Sequence, residues 1–179
     1  MGRTRSALLE GAQRAVEKYG VRRTSMGEIA TVAGIAKGTL YNHFRTKDDV
    51  WAALVQHEVT SLADECVLVV QSEGLAAALE RAADRLSAHP GLRRIASEEP
   101  AVLARLVVVG EGAGWDAARL GVADVVGLEP DDASVATVLR WLVSFVGAPG
   151  RSGEAAAGAR LLAASLAATG SSESERSTA

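Results

Sequence analysis

The sequence predicts an all-α protein: a small three-helix head at the N-terminus and a larger helical body behind it. Three observations support this. Apolar residues recur at helical spacing along the chain, the breaks between those stretches fall at glycine and proline, and the chain is 48% hydrophobic over 179 residues, enough to bury a sizeable core.

The first helix is expected over residues 4–19, where Leu8, Leu9, Ala12, Ala15, Val16 and Tyr19 form one apolar stripe that Gly20 ends. Thr24 and Ser25 offer hydroxyl caps. Glu28, three residues after Ser25, completes a capping-box pattern for a second helix whose inward residues are Met26, Ile29, Ala30 and Ala33. Gly34 permits the positive φ of a tight turn, and Ile35 fills the angle between the helices. Residues 36–44 then read as a short third helix with Leu40 and Phe44 turned inward. Lys37, Gly38, Thr39, Tyr41, Asn42 and His43 are left on its outer side.

A merely solvated helix is usually richer in Glu and Lys than that outer side, which carries the chemistry a DNA major groove uses. Lys donates to guanine O6 or N7, Asn pairs with adenine N6 and N7, and the Thr methyl touches a thymine methyl. Gly38 lets the backbone come close. Tyr41, His43 and Lys47 suit phosphate oxygens, which fix orientation without reading sequence, and Ser25 adds a hydroxyl and the backbone N–H groups of a helix N-terminus. The charge agrees. The first 50 residues hold nine Lys and Arg against five acids, a balance of +4, whereas the net charge of −3 leaves the remainder at −7.

The stretch from Thr24 to Val50, TSMGEIATVAGIAKGTLYNHFRTKDDV, resembles the DNA-binding signature of the tetracycline-repressor (TetR) family of bacterial regulators. The likeness covers about residues 5–55 and rests on Ile29-Ala30, Ala33-Gly34-Ile35, Lys37 to Tyr41, His43-Phe44 and Lys47. It implies base-facing Lys37, Thr39 and Asn42, with Gly38 among them, and phosphate-facing Ser25, Tyr41, His43 and Lys47. Asn42 stands where an aromatic is frequent, and Ala36, where Ser is frequent, lacks a cap hydroxyl.

The body is expected to begin at residue 47, giving a head over 1–46, a regulatory and dimerisation body over 47–168, and a disordered Ser/Glu tail over 169–179. A long helix through Val50, Leu54, His57 and Ser61 should reach about Gln71, and the resemblance implies that its tilt aims the recognition helix. Further helices are expected over 75–87 and 92–96. Another should follow Pro100 and take in Val107 to Val109 despite their strand propensity. After a loop containing Gly110, Gly112 and Gly114 comes a helix over about 115–126, then one carrying Val135, Val138, Leu142 and Phe145, with Trp141 stacked on Phe145 and Ala148-Pro149-Gly150 as its stop. The last helix, about 153–168, alternates small residues with Leu162 and Leu166. These last two resemble half of a four-helix dimer bundle, so Val135, Val138, Leu142, Phe145, Ala159, Leu162 and Leu166 are the expected dimer contacts, the alternative being a pair of core helices within one subunit.

Of seven aromatic residues, Trp115 is the one not already assigned to the head, its hinge or the bundle. With Arg119 it is the candidate lining of a mainly aliphatic pocket for an apolar or amphipathic small molecule, between the helices of residues 50–127. Their other readings are a packed core residue and a solvated charge. His43, His57, His89 and the single Cys66 have no metal-ligand spacing, so no metal or cofactor is expected. No catalytic spacing of Ser, His and acid, phosphate loop or carboxylate pair stands out either, so an enzyme is not expected. One cysteine, no apolar leader and no run of membrane-spanning length point to the cytoplasm and away from a membrane. Together these expectations describe a homodimeric transcriptional regulator, a repressor that a ligand releases from a double-stranded operator. The alternative is a DNA-binding regulator controlled by a protein partner or by its expression level.

Overall fold

The structure is a computed structural model and describes residues 2–108, 112–146, 148 and 150–176. Side chains at 108 and 169–176 are outside that description. The described residues form helices and connecting turns: α1 (Gly2–Tyr19), α2 (Met26–Ala33), α3 (Lys37–His43), α4 (Lys47–Glu73), α5 (Leu75–Ala88), α6 (Pro90–Glu98), α7 (Pro100–Val108), α8 (Ala113–Val126), α9 (Ala133–Val143) and α10 (Glu154–Arg176).

Two cores organise them. In the head, Leu8, Leu9, Ala12 and Ala15 of α1 meet Ile29 and Ala30 of α2, Leu40 of α3 and Phe44. Val50 and Ala53 complete that cluster, and Trp51 and Leu54 pack on it. The head therefore reaches two turns into α4, past the boundary expected at residue 46, because those turns present an apolar side to α1. The second core takes Cys66 and Val69 from α4, Ala78, Leu79, Ala82 and Ala83 from α5, and Val122, Ala123 and Val125 from α8. α4 is thus shared between head and body.

The capping box expected at Ser25 is present: Glu28 N–H donates to Ser25 Oγ at 3.2 Å and Ser25 N–H donates to Glu28 Oε2 at 2.6 Å. Thr24 acts in the other direction. It is 1% exposed, and its hydroxyl donates to the Gly20 carbonyl at 2.6 Å, closing the end of α1 rather than the start of α2. A second capping box, Thr46 with Asp49, starts α4. α6 begins with Pro90 in its first turn and His89 Nδ1 accepting the Leu92 N–H at 3.3 Å.

In the body, α8 lies close against α4. A Cβ added at Gly121 would stand 2.6 Å from Ala63 Cβ, and one at Gly114 2.7 Å from Val55 Cγ1. A side chain at either crossing would force its neighbour to shift. Val107 is helical as expected but half-buried; Val109 and Gly110 lie outside the described residues, as does Pro149. α10 continues as helix to Arg176, beyond the boundary expected at residue 168, and residues 177–179 lie outside the described residues.

The helices after residue 130 turn most of the expected dimer residues toward the chain's own core. Val135 and Ala159 have no exposed surface, and Val138, Leu142 and Phe145 are at most 8% exposed, all within a single chain. Leu162 and Leu166 pack half-buried on the same cluster. Within the single chain Val135, Val138, Leu142, Phe145 and Ala159 are spent on the core, while Leu162 and Leu166 keep part of their surface exposed. An apolar stripe states that a helix is buried on one side; it does not state against what.

Candidate nucleic-acid interface

The turn between α2 and α3 is made by Gly34, whose φ of 68° and ψ of 27° put it in the left-handed region that a side chain would strain. Its N–H closes the end of α2 on the Ala30 and Thr31 carbonyls. α3 then starts at Ala36, which gives no side-chain cap. With seven residues and no cap, α3 depends on packing, which Leu40 (0% exposed) and Phe44 (5%) supply.

Burying Leu40 and Phe44 fixes what faces outward. Lys37, Gly38, Tyr41 and Asn42 are exposed, and Thr39 and His43 are half-buried at the edges. Nothing lies within 4 Å of a Cβ built on Gly38, so its surface is bare backbone that another molecule can approach closely. The Lys37 ammonium lies 6.0 Å from the centroid of the Tyr41 ring, holding both side chains on one side of the helix. The structure therefore brings together the four residues expected to face bases, with Tyr41 and His43 beside them.

The two remaining phosphate candidates carry other duties. Lys47 is half-buried, and its Nζ donates to the Val21 carbonyl at 3.0 Å and the Arg22 carbonyl at 3.4 Å, leaving one of three protons for an outside oxygen. The Ser25 N–H is committed to Glu28, whose carboxyl is held below its ordinary range by the Ser25 backbone N–H and then the Ser25 side chain. An anion at the α2 N-terminus would have that carboxylate as a neighbour.

The head carries further basic residues that helical periodicity passes over. Arg22 and Arg23 are exposed on the loop that Lys47 grips. Arg5, one of the basic residues concentrated in the head, places its guanidinium 5.5 Å from the Phe44 ring, at the far end of α3. The charge count was their only trace in the sequence.

The expected ligand residues are not assembled. The Trp115 indole N–H donates to the Leu106 carbonyl at 3.0 Å, tying α7 to α8, and the exposed Asp116 pairs with Arg119 at 3.3 Å. The glycine crossings between α4 and α8 narrow the space where an aliphatic pocket was expected. A groove of about 460 Å³ runs along the outside of that crossing, between Gln56, Thr60 and Asp64 of α4 and Asp116, Leu120 and Asp124 of α8. Neither Trp115 nor Arg119 lines it. No group of three or more His, Cys, Asp or Glu that could hold a metal ion occurs among the described residues, and none of their helices is long and apolar enough to cross a membrane.

Two helices set across a glycine turn, the second showing Lys, Gly, Thr, Tyr and Asn outward from a packed Leu-Phe underside, define a helix-turn-helix module on a helical body. Residues 8–54 match the family model described as bacterial regulatory proteins, tetR family. The HTH-type transcriptional regulator TtgR of Pseudomonas putida is 42% identical over 52 residues, 29% of this chain and 25% of that protein. AcrR of Shigella flexneri is 41% identical over 51 residues, 28% and 24% of the two chains. The match thus spans about a quarter of the length of these curated relatives. In fold the likeness extends through the body. The TetR family repressor AlkX from a Dietzia species superposes with a TM-score of 0.69 at 18% identity, over 90% of this chain and 94% of that one. The fatty acid degradation regulator FadR from Bacillus halodurans gives 0.57 at 17%, over 93% and 95%.

Proposed function

We propose that the protein is a homodimeric, sequence-specific DNA-binding regulator, acting as a repressor, with Lys37, Gly38, Thr39 and Asn42 directed at base edges. Tyr41, His43, Ser25 and Lys47 take the flanking phosphates, with Arg22 and Arg23 beside them. One observation carries this reading: the outer side of α3 combines a bare backbone position at Gly38 with base-pairing side chains, over an underside that is fully packed. The test is to let the protein select duplexes from a random-sequence pool and then titrate variants on the selected site. Tyr41→Phe should weaken binding to all sequences alike, whereas Asn42→Ala should relax preference at one base pair by about 1–3 kcal/mol. Uniform loss from Asn42→Ala would remove its base-facing role.

A head this small reads only a few base pairs, so specificity calls for two copies at fixed spacing. With the inner sides of α9 and α10 committed to the core, the outward side of α10 is the surface for a second copy. Ala157, Leu161, Ala164 and Ala168 recur there at helical spacing, and Leu161 is 73% exposed. Leu161→Glu is expected to yield monomers by sedimentation; a dimer that survives it excludes this stripe.

Release by a small amphipathic molecule is the finer part of the proposal. Its place is the groove beside α4, because α4 carries the head, and its rim of Asp64, Asp116 and Asp124 favours a ligand with a basic group over a neutral one. A compound that raises the unfolding temperature and frees the selected DNA would support it. Stabilisation by no compound, with release by a protein partner or by dilution alone, would favour the alternative without an effector.

A further inference from the structure

We propose that Glu99, at the junction of α6 and α7, is the residue through which the body sets the angle of the head, by a route separate from α4. The orienting role rests on the DNA-binding reading above; the clamp itself does not.

The geometry begins with two backbone amides far away in sequence. Glu99 Oε2 accepts the Val21 N–H at 2.8 Å and Glu99 Oε1 accepts the Arg22 N–H at 2.9 Å, so each carboxylate oxygen holds one peptide of the α1–α2 loop. Both bonds have a charged acceptor and are of the stronger kind. The Lys47 ammonium takes the carbonyls of the same two residues. The loop is therefore gripped by its N–H groups from the body and by its C=O groups from the first residue of α4. Gly20, with φ of 79°, makes room for the grip: a Cβ there would stand 3.2 Å from Glu99 Oε1.

Glu99 is itself firmly placed. Its N–H closes α6 on the Ile95 carbonyl at 2.8 Å, and its own carbonyl accepts the Val102 N–H at 2.8 Å at the start of α7. A shift of either helix thus moves the carboxylate, and with it the loop that leads through Thr24 to the Ser25 cap of α2. Arg94 adds a second tie from α6, donating to the Glu17 carbonyl of α1 at 3.2 Å while pairing with Glu98 at 2.7 Å. α4 enters the head through the packing of Val50 and Ala53 and through Lys47 on the loop carbonyls. The Glu99 route enters through the loop between α1 and α2.

The test compares the full-length protein with Glu99→Ala and Glu99→Gln by amide hydrogen exchange, and by binding to two duplexes: the site selected from a random-sequence pool, and one half of it. Glu99→Ala should speed exchange at Val21 and Arg22 by about tenfold, the loss of a charge-assisted bond at each, and leave Leu9, Ile29 and Leu40 protected. Affinity for the full site should fall by about tenfold while that for the half-site changes by less than about twofold, because a loosened head still fits one groove but not two in register. Glu99→Gln, which keeps one acceptor oxygen, should fall between. Unchanged exchange at Val21 and Arg22 overturns the clamp, and equal loss on both duplexes overturns the orienting role. If the wild-type protein selects no sequence, the DNA-binding reading fails and the orienting role with it, while the exchange data still decide whether the clamp exists.

Discussion

Gly11→Ala sets two rules against each other, and the structure decides between them. Gly11 lies in the middle of α1, where alanine is favoured over glycine by about 1 kcal/mol. On propensity alone the substitution stabilises. At the crossing with α2, however, a Cβ on residue 11 would stand 2.4 Å from Ala33 Cβ, 2.7 Å from Ala33 Cα and 2.9 Å from Ala33 N. Carbon atoms prefer roughly 3.5–4.0 Å. The helices must therefore separate by about 1 Å, and two of the three obstructing atoms are backbone, which cannot swing aside. Overpacking of this kind costs about 1–3 kcal/mol, and the rigid obstacle argues for the upper part of that range. Net destabilisation of about 1–2 kcal/mol follows. Gly27→Ala is the control: it too is helical, and its nearest neighbour is Ser25 Oγ at 3.8 Å, so only the propensity gain should appear.

Urea unfolding of the two variants measures the difference. With a slope of about 1–3 kcal/mol per molar for a small domain, Gly11→Ala should lower the midpoint of the head by roughly 1 M, and Gly27→Ala should raise it slightly. Because Ala33 directly precedes the Gly34 turn, Gly11→Ala should also displace α3 and weaken DNA binding more than the stability change alone implies. A Gly11→Ala midpoint at or above wild type would refute the reasoning, since the close crossing would then cost less than helix propensity returns.

Gly38→Ala should show the opposite pairing: nothing obstructs its Cβ, so the fold gains about 1 kcal/mol while affinity for the selected duplex falls; unchanged affinity would remove the close backbone approach. Acid should loosen the head. Glu28 and Asp49 have carboxyls lowered from ordinary values near 4.5 and 3.8 by their capping partners Ser25 and Thr46, so their contribution is complete above those values and is lost as pH falls through the lower folded ones. A urea midpoint of the head followed from about pH 6 to about pH 2.5 should fall across that window, and less so in Glu28→Gln; an identical profile would refute the assignment. Cys66 is 2% exposed, with its thiol pushed up to about 11, chiefly by burial, so a disulfide reagent at about pH 8 should react only as fast as the body opens. Labelling at the rate of a free thiol would contradict that burial.

What was legible in the sequence was local. The α1 stripe, the Ser25 and Glu28 capping box and the Gly34 turn are each set by residues within about two helical turns, and the structure has all three. The outer side of α3 was legible for the same reason, since burying Leu40 and Phe44 dictates what points away. What was not legible was direction and partner. Thr24 closes the helix before it rather than the one after, because a hydroxyl between two helix ends can serve either. Nothing near Lys47 in sequence shows that its amine also reaches back 26 residues to Val21. Val135 and Val138 read as buried, and the structure buries them in the chain's own core. Glu99 left no local signal at all, since its partners lie 77 and 78 residues earlier.

These non-local ties bear on how the body can act on the head. α4 belongs to both cores, with Val50 and Ala53 in one and Cys66 and Val69 in the other. Its 27 residues form a continuous hydrogen-bonded rod of roughly 40 Å. A rod packed at both ends transmits tilt, and its first turns hold the head through Val50, Ala53 and Lys47. On the reading proposed above, the Glu99 carboxylate adds a further hold on the loop between α1 and α2, through α6 and α7 rather than through α4. Two attachments through different helices constrain an orientation more tightly than one. Movement of α4 against α6 and α7 would therefore reach α3 as a rotation of the whole head, with no need to unfold any part of it.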